Sequence, residues 1–175
     1  KTEVACYFSH RSAWDKVIAN KEPALILEDD ALLSTCVPKI LDSLANITNI
    51  DLVTLENRGR KKFVSKKSQK DLNCKSKLVR LYQDKTGAAG YILWPSGAKK
   101  LIQLERTSGI GLADAHITSC HSLKSYQVEP SPVIQADQCI DYGIENIFID
   151  KISNSTVSNH DRSSGGIKFI TNRVL

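Results

Sequence analysis

The sequence predicts an α/β layered fold, and three observations carry that expectation. Ala24-Leu25-Ile26-Leu27 is an unbroken apolar run that stops at Glu28-Asp29-Asp30, the pattern of a fully buried strand ending at a polar sheet edge. Amphipathic helical patterns lie on both sides of it, and another apolar segment follows at 51–55, so the order is helix, strand, helix, strand. Leu78–Tyr82 and Tyr91–Trp94 add two segments rich in strand formers. With 175 residues, 41% of them hydrophobic and 25% charged, the chain is long enough for a single domain over 1–175 with a real core.

Ser9 is placed as the N-cap of a first helix running to about Asn20, with Ala13, Trp14, Val17 and Ile18 on its apolar face. Pro23 stands before the 24–28 strand, where no ladder bond is lost. A second helix is expected from about Thr35 to Leu44, with Val37, Ile40, Leu41 and Leu44 facing inward and Pro38 in its first turn. Residues 58–77 break the pattern. They carry most of the excess positive charge, with Asp71 as their one acid, and read as a long basic surface loop. That charge either solvates the loop or faces phosphates or an anionic surface. Thr86-Gly87-Ala88-Ala89-Gly90 then opens the 91–94 strand, its small residues allowing backbone or ligand to approach closely. A helix over about Ala98–Glu105 follows. Next come a glycine-containing loop, a short helix with Asp114 near its start, and a short strand around Tyr126 and Val128. Ile144–Ile149 is a late apolar segment, and 153–166 is polar, rich in Ser and Asn, and read as flexible.

No apolar run approaches the length of a membrane span, and the start shows no secretory pattern. Cys6, Cys36, Cys74, Cys120 and Cys139 are odd in number, widely spaced and free of any CxxC pair, which reads as buried, reduced thiols in a cytosolic protein. Nucleic acid is disfavoured as a partner, because no aromatics are interleaved with the basic run for base stacking. The three acids at 28–30 are the chemically loaded feature. Adjacent carboxylates repel unless a cation or hydrogen-bond donors compensate them, and hard oxygen ligands suit Mg²⁺ or Mn²⁺. A solvated acidic turn is the plain alternative.

Together, Cys6-Tyr7-Phe8-Ser9-His10, Trp14, Pro23 to Asp30, Thr86 to Leu93 and Gly97-Ala98 through Leu101 resemble glycosyltransferase family 25. That family includes bacterial lipopolysaccharide and lipooligosaccharide glycosyltransferases and animal collagen galactosyltransferases. The resemblance covers about residues 3–135. It implies a GT-A type nucleotide-diphospho-sugar transferase sandwich with a mixed, mostly parallel central sheet and flanking helices. It implies a UDP-galactose-like donor, Mn²⁺ (or Mg²⁺) dependence and inverting transfer of a hexose to a glycolipid oligosaccharide acceptor. On this reading Asp30 is the metal ligand with Asp29 beside it. Glu28, Asp29, Ser9, His10, Gly87 and Ala88 serve the donor. Ser9 and His10 have the alternative of a cap and a satisfied buried imidazole. The acceptor hydroxyl needs a general base. Asp114 is the first candidate, with a helix cap as its plain alternative, and Glu56 at the end of the 51–55 strand is the second.

Two departures are visible. Members usually carry a further N-terminal strand and helix, and this chain starts after them. Members often place His directly after Asp in the acceptor region, whereas here Ala115 separates Asp114 from His116. The expected location is the bacterial cytoplasm, with 58–77 as a peripheral contact on the inner face of the inner membrane. The competing classes are a degenerate member that binds anionic glycans and a Mg²⁺-dependent phosphotransferase. The latter lacks a phosphate loop or nucleophilic Asp arrangement in this sequence.

Overall fold

The computed structural model describes residues 2–144. In chain order the elements are α1 (Thr2–Asn20), β1 (Ala24–Leu27), β2 (Ala31–Leu33), α2 (Val37–Leu44), β3 (Leu52–Thr54), β4 (Phe63–Asp71) and β5 (Lys77–Gln83). β6 (Gly90–Leu93), α3 (Pro95–Ser108), α4 (Ala113–Ser119), β7 (Ser125–Glu129) and β8 (Val133–Gln135) follow, then two short 3₁₀ turns. The expected segment Ile144–Ile149, apart from Ile144 itself, and the expected segment 153–166 lie outside the described residues.

Six strands form the main sheet in the order β1-β6-β3-β7-β5-β4, and β2 and β8 form a separate two-stranded antiparallel pair. The expected mostly parallel sheet is corrected: β3–β7 is the one parallel pairing in the main sheet, and the other four are antiparallel. The reason is an intercalated strand. β1 and β3 do run the same way, as a helical crossover between them demands. β6 enters between them and runs the opposite way, paired to β1 through Leu25–Ile92 and to β3 through Val53–Ile92. This is a split crossover unit, and the helix–strand order along the chain cannot distinguish it from an adjacent parallel pair.

The period-2 alternation of the central strands builds two cores. Leu52, Tyr91 and Leu93 face α1, α3 and α4, where Tyr7, Trp14, Leu101 and Ile117 pack. Val53 and Ile92 face the other way, onto Val37, Ile40 and Leu44 of α2. β1 is an edge strand rather than the fully buried one expected: only Ile26 is buried, and Leu27 is exposed.

Two further expectations change. The segment 58–77 contains a nine-residue strand, β4, rather than being loop throughout. Among the described residues it pairs only with β5, with several register shifts, and most of its residues are exposed. An edge strand open to water on both faces needs no apolar alternation, and lysines on such an edge deter pairing with other chains. The first helix starts at Thr2, so Ser9 is not its cap. Ser9 lies within α1 and donates Oγ to the Ala5 carbonyl at 3.2 Å.

Gly97 lets the start of α3 press against the start of β3. A Cβ there would collide with the Asp51 carbonyl oxygen and lie 2.9 Å from Leu93 Cδ1. The first obstacle is backbone and cannot swing aside. Gly97→Ala is therefore expected to destabilise the fold by about 1–3 kcal/mol, read as a lower denaturant midpoint at unchanged slope.

Candidate functional site

β1 and β3 end, and β6 begins, at one edge of the main sheet. Leu27 pairs with Gly90, the Glu28 N–H donates to Ala89 O at 3.0 Å, and the Leu55 N–H donates to Gly90 O at 3.0 Å. Glu28, Glu56 and the 86–90 turn therefore meet. Asp29 and Asp30 form the tight turn between β1 and β2, closed by Ala31 N–H to Glu28 O at 3.2 Å. The Asp30 carbonyl accepts the Ala136 N–H at 3.0 Å, which ties this turn to the end of β8.

Glu28 is held at both carboxylate oxygens. Oε1 lies 3.1 Å from His10 Nε2, and Oε2 accepts from Gln135 Nε2 at 3.0 Å. His10 is 4% exposed, and its Nδ1 lies 2.8 Å from the Tyr91 hydroxyl, which also accepts from Trp14 Nε1 at 2.9 Å. A ring with its proton on Nε2 satisfies the whole chain: Trp14 to Tyr91, Tyr91 to Nδ1, Nε2 to Glu28. Burial pulls the Glu28 pKa upward. The hydrogen bond and charge of His10, then Gln135 and Arg58, outweigh it and leave Glu28 below the usual carboxylate value.

Asp30 and Glu56 lie on the other side of that balance. Burial, followed by repulsion from Glu28 and Asp29, pushes Asp30 up to about 6. Its Oδ1 is buried without a hydrogen-bond partner. Glu56 is fully buried, and burial pushes it up to about 7, against the pull of the Ala89 N–H on Oε2 at 2.8 Å. Its Oε1 likewise has no partner. The Glu56 carbonyl accepts from Lys62 Nζ at 3.0 Å, and Lys62 also donates to Gln127 Oε1 at 2.8 Å. Arg58 pairs with Asp137 at 2.9 Å on the rim. An unpartnered carboxylate oxygen among repelling acids suits a hard divalent cation, so the residues present fit the metal expected at Asp30.

The profile of glycosyltransferase family 25 (LPS biosynthesis protein) matches residues 1–117. The chain belongs to glycosyltransferase family 25. It is 31% identical over 106 residues to a "Glycosyltransferase 25 family member" of Aedes aegypti, covering 58% of this chain and 17% of that protein. It is 28% identical over 112 residues to a Haemophilus influenzae protein named "Putative glycosyltransferase", covering 63% of this chain and 39% of that one. The chain thus spans well under half the length of either relative.

In this family 25 chain the expected site residues separate into two groups. Glu28, Asp29, Asp30, His10 and Glu56 gather at the one sheet edge. Ser9 does not join His10: it is exposed and turned back on its own helix. Gly87 and Ala88 are buried, and the close approach that Gly87 permits is to Glu56, whose Oε2 would lie 2.7 Å from a Cβ there. Asp114 is the second residue of α4, after the N-cap Leu112, and its Oδ1 accepts the Ala115 N–H at 2.7 Å. It is half-buried, and its charge adds to the rise of the Cys6 thiol pKa after burial and the Glu28 charge. His116 is structural, stacked on Trp14 and bonded to Leu101 O at 3.0 Å. Sequence reasoning missed Gln135 and Tyr91, since each reaches the site from a strand far away in the chain, and Lys62, which was read as part of a basic surface loop.

All five cysteines are free, but only Cys120 and Cys139 are buried, which corrects the expectation of buried thiols throughout. Two surface hollows of about 450 and 410 Å³ lie elsewhere, one around Asp51 at the opposite end of β3 and one between α1 and β1. Among the described residues no helix is long and apolar enough to cross a membrane.

Glu56 makes stability depend on pH with a definite sign. Its pKa is raised from 4.5 to about 7, so its contribution is fully present below pH 4.5 and is lost as pH rises to about 7. Glu56→Gln, which keeps an acceptor for the Ala89 N–H, should remove this slope. The stability of wild type relative to the variant is expected to fall across that window, by about 3–4 kcal/mol, in denaturant titrations at stepped pH.

Proposed function

We propose that this chain carries the catalytic centre of an inverting hexosyltransferase. It moves a sugar, galactose foremost, from a UDP-sugar to a hydroxyl of a lipooligosaccharide-type glycan. The observation that carries this reading is the buried, unpartnered Asp30 oxygen within the Glu28-Asp29-Asp30 turn, at the carboxyl ends of β1 and β3, in a family 25 chain. Ligands of layered α/β proteins gather at such edges.

Asp30 would hold the divalent cation, Mn²⁺ or Mg²⁺, with Asp29 as the exposed second ligand, and donor phosphates would complete the shell. Such a cation stabilises charge on the departing diphosphate, an effect worth several kcal/mol. Glu28 keeps the turn in place through His10 and Gln135. Asp114 is the general base. It is partly solvent-accessible, as a group that must meet an acceptor hydroxyl requires, whereas Glu56 is sealed from solvent. As the hydroxyl oxygen bonds to the anomeric carbon and the bond to phosphate breaks, its proton passes to Asp114. Glu56 acts as a positioning residue that fixes the 86–90 turn through the Ala89 N–H. The basic strand β4, flanked by exposed Phe63 and Tyr82, supplies a surface for anionic glycolipid or membrane.

The deciding experiment is calorimetric titration of UDP and a panel of UDP-sugars into the full-length protein, with and without Mn²⁺. Wild type is expected to bind only with the cation, and Asp30→Ala to lose that dependence together with the binding. Metal-independent binding of equal strength would overturn the assignment of Asp30. Asp114→Asn should lower kcat by about 10²–10⁴-fold while KM for the donor stays within a few-fold. A loss confined to KM would remove Asp114 from the base role.

A further inference from the structure

Cys6 and His10 are one helical turn apart on α1, and both face the end of β1. Cys6 Sγ is 4.0 Å from Glu28 Oε1, and His10 Nε2 is 3.1 Å from the same oxygen. The ligand atoms of these three residues all lie within 4.8 Å of one another, the one such group of Cys, His and acidic side chains among the described residues. Bond lengths of about 2.0–2.3 Å in a tetrahedral zinc site set neighbouring donor atoms roughly 3.3–3.8 Å apart. The observed separations bracket that range. The imidazole and carboxylate need only part slightly, and the sulfur needs only to close in.

We propose that Cys6, His10 and Glu28 form a site for a borderline-soft divalent cation, Zn²⁺ foremost, with the fourth position open to solvent. Thiolate and imidazole donors favour such a cation over Mg²⁺ or Mn²⁺, so this site is chemically distinct from the all-oxygen pair Asp29 and Asp30. The supporting groups are in place. Gln135 occupies Glu28 Oε2 and leaves Oε1 to the cation, while Tyr91, anchored by Trp14, faces His10 Nδ1 and orients the ring. The Glu28 side chain is 22% exposed and Cys6 is half-buried, which gives the cation an entry path.

The proton balance is explicit. The Cys6 thiol gives up its proton to solvent as the Zn–S bond forms. The His10 ring proton moves from Nε2 to Nδ1, where it is donated to the Tyr91 oxygen, and the Tyr91 hydroxyl proton turns away. About one proton is released per cation. The bound cation replaces a single hydrogen bond with a cross-link between α1 and the strand end that carries the Asp29–Asp30 turn.

This inference does not rest on the transferase reading, and its test is separate. The full-length protein, stripped with chelator and kept reduced, is titrated with Co²⁺ and then with Zn²⁺. Expected are one equivalent of Co²⁺ with a sulfur-to-cobalt charge-transfer band, displacement by Zn²⁺, and release of about one proton per Zn²⁺. Cys6→Ser, at a half-buried position, should abolish the band, and His10→Gln should weaken binding at least about 10-fold. The double variant Cys36→Ser, Cys74→Ser should keep the band, as should Asp30→Ala, which tests the other metal position. Absence of the band in folded wild type, or a band that survives Cys6→Ser, would overturn the site.

Discussion

The Glu28 carboxylate is the constraint on which the rest of this molecule depends. It stands at the end of an edge strand, where a charged group would ordinarily turn to water. It is held instead from two sides, by His10 of the helical layer and by Gln135 of the small β2–β8 sheet. A partly buried carboxylate that loses one of its hydrogen-bond donors is left unsatisfied, at a cost larger than the bond itself contributed. The helix α1, the main sheet and the small sheet must therefore come together at this point. His10 in turn requires Tyr91, and Tyr91 requires Trp14, so one hydrogen-bonded chain runs from the middle of the helical core to the acidic turn.

That arrangement sorts the acids at the sheet edge by environment. Glu28 has donors at both oxygens and is held ionised. Asp30 and Glu56 each carry a buried oxygen with nothing to accept from, and both rise toward neutrality. Identical chemistry thus yields an anchored carboxylate held low, and two carboxyl groups with raised pKa, one in the acidic turn and one against the 86–90 turn. Position in the dielectric, rather than residue type, assigns the roles.

Some of this was legible in the chain itself. The apolar run into Glu28-Asp29-Asp30 announced a strand end with convergent acids. The spacing of Val37, Ile40 and Leu44 announced α2, and the small residues at 87–90 announced a close approach. What they approach is Glu56, thirty-odd positions away in the chain, and nothing local to Gly87 says so. Lys-rich β4 was invisible as a strand because an edge exposed on both faces carries no alternation. Ser9 resembles a cap because it is a capping residue just before an apolar helical face, while α1 continues back to Thr2.

The sequence by itself determined the inventory: layered helices and strands, the three acids after β1, and membership of glycosyltransferase family 25 through motifs contiguous in the chain. Local periodicity and short motifs are properties of neighbouring residues, so they survive without a fold. The tertiary structure alone decided that β6 runs between β1 and β3, which makes the sheet mostly antiparallel. It alone decided which acids are paired, and that Cys6 and His10 meet Glu28. Those outcomes rest on contacts between residues far apart in sequence, whose burial and hydrogen bonding exist only once the layers have packed.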